Sequence, residues 1–189
     1  INSGSIHAKD GVNISSYSDV TNSGEIRADS DNGLTAGDHN TIRNTGLISA
    51  VYDAIYMNDY NSLFNDGTIE LRVSDSSGIT AYNHNRIINR GLISSPGTDA
   101  GENGALQLMD NNYILNEGTI SASGSFGRAL KLNAAIILLL IRDQSSGVVP
   151  PLLSPAAATL FSFRLAAIFR GFWISVAGLS AIPWPSDPD

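Results

Sequence analysis

The sequence predicts an all-β protein: a parallel β-helix, or solenoid, of about five to six coils with three short strands each, followed by a C-terminal tail outside the helix. Two observations predict the solenoid and a third bounds it. The first is a phrase that recurs: "NTIRNTGLISA" at residues 40–50 returns as "NSLFNDGTIEL" at 61, "NRIINRGLISS" at 85 and "NYILNEGTISA" at 112. Aligned on Asn-x-Gly-x-Ile, the glycines Gly4, Gly24, Gly46, Gly67, Gly91 and Gly118 delimit units of 20, 22, 21, 24 and 27 residues. A repeat of that period means stacked units rather than a single globule. The second is that each unit holds three short apolar pieces that alternate with polar residues, the period of a strand with one buried face. The third is an abrupt change of composition near residue 133.

The elements follow in order. The first strand of each coil carries Ile6, Ile26, Ile48, Ile69, Ile93 and Ile120. The second carries the pairs Val12/Ile14, Leu34/Ala36, Ile55/Met57, Ile79/Ala81, Leu106/Leu108 and Leu130/Leu132. The third carries Val20, Ile42, Leu63, Ile87 and Ile114, just before the Asn. Stacking at the usual interstrand spacing gives a rod about 25 Å tall.

The Asn-x-Gly step is expected to turn the chain through the left-handed region, which Gly enters freely and Asn tolerates. Asn22, Asn44, Asn65, Asn89 and Asn116, with Gly24, Gly46, Gly67, Gly91 and Gly118, are expected to form a structural ladder of side-chain amides passing from coil to coil. Asn40, Asn61, Asn85 and Asn112 are expected to repeat that bonding four residues earlier. Extra residues fall between first and second strands, at 94–104 and 121–127, and read as surface loops suited to binding.

Residues 1–133 contain seventeen Asn and residues 134–189 none, while six of seven Pro and both Trp lie in the second span. The boundary between β-helix repeats and an apolar, Pro-containing tail is therefore set at 133/134. The apolar run Ala134–Ile141 is far shorter than a membrane span of about 20 residues, and Arg164 and Arg170 interrupt the later one. A membrane-associating tail is the lesser alternative.

The genetic code offers a sharper account. Reading each codon's third base with the next codon's first two permits NNTIINQGSI over places 136–145, which is the repeat phrase again. Its Gly falls at place 143, 25 residues after Gly118, and places 168–174 permit NIQGxLD. The tail is expected to be an out-of-frame translation with no defined fold of its own.

Repeats of the form "NTIRNTGLIS" over residues 1–133 resemble the right-handed parallel β-helix passenger regions of bacterial autotransporters. The resemblance implies an exported, adhesin-like stalk that presents loops and catalyses nothing, at the cell surface or outer membrane or secreted. It implies a host-surface glycan or protein as partner, and membrane attachment only through a C-terminal barrel. Ile1 in mid-repeat is read as an N-terminal truncation, so localisation rests on the resemblance. Open solenoid ends would favour marginal stability and self-association.

Composition narrows the chemistry. All of the net charge of −7 lies in residues 1–133, which carry 8 Lys/Arg against 15 Asp/Glu. That disfavours nucleic acid, whose phosphates need clustered Lys/Arg; the close pair Arg86 and Arg90 reads as solvated turn residues. Absence of Cys suits an exported β-solenoid. No cofactor or metal motif is present. His7 reads as an isolated exposed residue, and the Ser-rich stretches around Ser15 and Ser76 lack His and Asp partners.

The nearest approach to catalysis is the column Asp38, Asp59, Asn83 and Asp110, followed by His39, Tyr60, His84 and Asn111. Convergence of Asp38, Asp59 and Asp110 in one groove would suit a carbohydrate-active β-helix enzyme, a polysaccharide lyase or hydrolase. The plainer reading, which we prefer, makes them polar turn residues. Tyr17, His39, Tyr60 and His84 read as a column stacked on itself.

Overall fold

A computed structural model describes residues 1–73, 76–96, 104–123, 128–133 and 137–141. The strands follow one another coil by coil. The first coil holds β1 (Ser5–Ala8), β2 (Val12–Ile14) and β3 (Asp19–Asn22), and the second holds β4 (Glu25–Ala28), β5 (Leu34–Ala36) and β6 (Thr41–Asn44). The third holds β7 (Leu47–Ala50), β8 (Ile55–Met57) and β9 (Ser62–Asn65), and the fourth β10 (Thr68–Leu71), β11 (Ile79–Ala81) and β12 (Arg86–Asn89). The fifth holds β13 (Leu92–Ser95), β14 (Gly104–Leu108) and β15 (Asn112–Asn116). The last described strands are β16 (Thr119–Ala122), β17 (Arg128–Leu132) and β18 (Ile137–Ile141).

Each strand pairs in parallel with its counterpart one coil away, giving three six-stranded sheets. The first sheet runs β1-β4-β7-β10-β13-β16, the second β2-β5-β8-β11-β14-β17 and the third β3-β6-β9-β12-β15-β18. The protein is thus an all-β parallel solenoid. All these strands belong to one compact unit, residues 1–147; residues 148–189 lie outside the described residues.

Register stacks like on like, because each strand turns the same alternate residues inward. Ile6, Ile26, Ile48, Ile69, Ile93 and Ile120 form one continuous column of Cα partners. Val20, Ile42, Leu63, Ile87 and Ile114 form another. Ile26, Ile42, Ile48, Leu63, Ile69, Ile87, Ile93 and Ile114 are fully buried, and the three sheets close around this single core. Packed side chains rather than turns carry most of such a solenoid's stability.

The Asn-x-Gly glycines have a different reason from the expected one: none of the column lies in the left-handed region. What requires glycine is proximity. A Cβ at Gly46, Gly67 or Gly91 would sit 2.0, 2.2 or 2.0 Å from the carbonyl oxygen of Gly24, Gly46 or Gly67 in the coil before. Side chains are excluded because successive backbones touch there.

The left-handed conformation belongs to another column: Tyr17, His39, Tyr60, His84 and Asn111 have φ of 58–60°. These residues turn the chain from the second sheet into the third.

Strand β18 lies within the span that the sequence assigns to the tail, and pairs Asn112–Asn116 with Ile137–Ile141 residue for residue. Residues 97–103 and 124–127, within the stretches that the sequence reads as surface loops, and the tail after Ile141 lie outside the described residues.

Candidate functional site

The buried Asn column forms an unbroken chain of amide hydrogen bonds. Asn22 Nδ2 donates to Asn44 Oδ1 at 2.8 Å, Asn44 to Asn65 at 2.9 Å, Asn65 to Asn89 at 2.8 Å and Asn89 to Asn116 at 2.7 Å. Each Nδ2 also reaches the carbonyl of its own coil's glycine, as Asn65 does with Gly67 at 3.2 Å. Both amide ends are therefore used, which is what allows a polar group to sit fully buried.

The second Asn column bonds differently from the first. Its side-chain oxygens accept from backbone: Asn40 N donates to Asn61 Oδ1 at 2.8 Å, Asn61 N to Asn85 Oδ1 at 2.7 Å and Asn85 N to Asn112 Oδ1 at 2.8 Å. Asn61 Nδ2 turns back to the Gly37 carbonyl at 2.8 Å, and Asn85 Nδ2 to that of Asn58 at 2.7 Å. The equivalent Asn40 Nδ2 is buried with no hydrogen-bond partner among the described residues.

Beside this column, the rings of Tyr17, His39, Tyr60 and His84 stack face to face. Centroids are 4.9, 4.9 and 4.7 Å apart, with interplanar angles of 8°, 6° and 15°. Their interior faces are spent on one another, so the row offers solvent mainly ring edges. Left-handed backbone costs a residue bearing Cβ roughly 1–2 kcal/mol, and a stacked aromatic pair returns about 0.5–1.5 kcal/mol. At Asn111, which bears no ring, the residue type itself tolerates the conformation.

The adjoining acidic column serves the backbone. Asp38 Oδ1 accepts from Asp59 N at 3.2 Å, Asp59 Oδ1 from Asn83 N at 2.8 Å, and Asn83 Oδ1 from Asp110 N at 3.1 Å. Each side chain thus bonds to a neighbouring coil's amide, as a turn residue would.

Several polar groupings were not legible in the sequence. Ser76 does have an acidic partner: its Oγ donates to Asp53 Oδ1, which also accepts from Ser77 N at 2.9 Å. Burial pushes the Asp53 carboxyl up, against the Ser76 and Ser77 bonds that pull it down. Burial, with Tyr82 alongside, pushes the Tyr56 phenol up to about 12, so at neutral pH it is no base. His7 is not isolated, since its Nε2 lies 2.9 Å from Asp29 Oδ2. Asp29 also pairs with Arg72 at 2.9 Å and Arg27 at 3.2 Å, and these guanidiniums hold its carboxyl below the usual range.

Arg86 is not a turn residue. It stands on β12, exposed, with its Cζ 5.5 Å from the Phe64 ring centroid and 5.6 Å from that of Tyr113. Arg90 does lie in the turn, paired with Glu117 at 2.9 Å and Asp66 at 3.8 Å.

Among the described residues, no group of three or more His, Asp or Glu could hold a metal ion, and no helix is long and apolar enough to cross a membrane. No protein-family model, curated protein or solved structure matches the chain. Its function must be argued from these side chains.

Proposed function

We propose that the chain is a section of an exported bacterial surface protein of the autotransporter-passenger kind, a stalk that holds loops away from the cell and performs no catalysis. The observation that carries this reading is the amide ladder from Asn22 to Asn116, continuous through five coils whose lengths differ. The constant residues bond coil to coil, while the variation in length falls between the first and second strands of each coil. That division of labour suits a rod that extends by repetition and presents variable surface to a host glycan or protein. The engagement of Asp38 and Asp59 with neighbouring backbone supports structure over turnover.

The tail, on this reading, is an out-of-frame translation of further repeats. What supports it is register. The shifted frame permits Asn at places 137 and 141 and Ile at 139. Strand pairing sets those places opposite Asn112, Asn116 and Ile114, so both Asn columns and one core column would continue.

The test begins with the encoding DNA, resequenced through the codons for Leu132–Gly147. With the frame restored and an epitope tag inserted between residues 97 and 103, intact bacteria should bind the tag antibody. Labelling only after permeabilisation would reject surface presentation, and a shifted frame lacking NNTIIN would reject the account of the tail.

A further inference from the structure

The outward face of the third sheet differs from the rest of this acidic molecule. Arg43 on β6 places its Cζ 4.7 Å from the centroid of Phe64 on β9, and Arg86 on β12 approaches the same ring at 5.5 Å. Two guanidiniums from coils on either side thus converge on one aromatic ring, and Arg86 also lies over Tyr113. Cation–π attraction fixes a guanidinium through its flat face and leaves its in-plane N–H donors available.

The other arginines of the first five coils are engaged: Arg27 and Arg72 with Asp29, Arg90 with Asp66 and Glu117. Arg43 and Arg86 are exposed and make no ion pair among the described residues. Their partners in register carry no charge, Thr21 and Phe64 beside Arg43 and Ser62 and Tyr113 beside Arg86; Asp19 stands further along the Arg86 column, beyond Ser62 and Thr41.

We propose that this face binds an acidic saccharide, with Arg43 and Arg86 receiving a carboxylate or sulfate group. The two guanidiniums supply forked donors for a planar or tetrahedral anion. The half-buried rings of Phe64 and Tyr113 offer apolar surface to the C–H face of a sugar, and the hydroxyls of Thr41 and Ser62 offer hydrogen bonds between. The net charge of −7 opposes long, densely charged phosphate polymers, and favours a ligand whose charges are spaced by sugar rings. The inference stands on this face alone, independent of whether the rod is exported.

Affinity electrophoresis of the full chain at low ionic strength, through gels containing polygalacturonate, κ-carrageenan or neutral dextran, tests it. Retardation is expected with an acidic polymer and not with dextran. Preference for polygalacturonate identifies a carboxylate ligand, and preference for κ-carrageenan a sulfate. Arg43→Gln with Arg86→Gln should weaken binding at least about tenfold, whereas Arg27→Gln with Arg90→Gln, an equal loss of two charges elsewhere, should not. Arg43→Lys with Arg86→Lys keeps the charge but not the planar fork, and should lose most of the binding. Circular dichroism would verify that each variant folds. Absence of retardation by both acidic polymers, or equal weakening by Arg27→Gln with Arg90→Gln, overturns the proposal.

Discussion

Adding one methyl group at Gly67 would place it 2.2 Å from the carbonyl oxygen of Gly46, an atom of backbone that cannot swing aside. Gly67→Ala should therefore cost about 3 kcal/mol in denaturant unfolding, at the upper end of overpacking effects. The left-handed row behaves in the opposite way. Tyr60→Gly relieves backbone strain while losing two ring stacks, and should change stability by no more than about 1 kcal/mol. Tyr60→Val keeps the strain, adds a β-branch and loses the stacking, so it should cost about 2 kcal/mol or more by the same measurement. Two carboxylates give pH dependence of opposite sign. Asp53 is raised on folding, so its contribution is complete below the ordinary carboxylate range and is lost as pH rises through the raised value. Asp29 is lowered, so its contribution is present above that range and is lost as pH falls through the lowered value. Melting temperatures followed across acid pH should show Asp53→Asn removing the first trend and Asp29→Asn the second.

Strands and turns differ in how far the sequence exposes them. Core columns such as Ile26, Ile48 and Ile69 are readable because inward residues repeat at period two and then again at every coil. The ladder Asn is readable for the same reason. The turn into the third sheet is not, because left-handed positions are looked for at Gly and Asn, and here Tyr17, His39, Tyr60 and His84 occupy them. Asn111, at the same place in its coil, was the one available hint. The Asp53–Ser76 contact is hidden in sequence because it joins residues of different coils at no fixed spacing, and closeness to Arg90 in sequence conceals the place of Arg86 on a strand. The element scale also carries a prediction. Deleting residues 47–67 joins Gly46 to Thr68, the register partner of Leu47, and removes one entire coil. The shortened chain should keep a β-rich circular dichroism spectrum and melt cooperatively at a lower temperature. Deleting 47–66 instead shifts the alternation by one residue and should abolish the cooperative melt.

For the molecule as a whole, three sheets, two asparagine columns and one glycine column all run along the same axis. The repeat fixes this architecture in advance, whereas outward residues such as Arg43, Phe64 and Arg86, on which the proposed ligand would depend, follow no repeat. A further consequence concerns mechanical load. Every bond between neighbouring coils lies along the axis, so a pull on the two ends would not shear the sheets but would unzip them, one coil at a time. Each coil of 20–27 residues would then release a contour length of about 70–90 Å. Force spectroscopy of the solenoid should accordingly give a train of small, nearly equal steps in place of a single rupture. A rod that yields in this way lengthens under drag before it breaks.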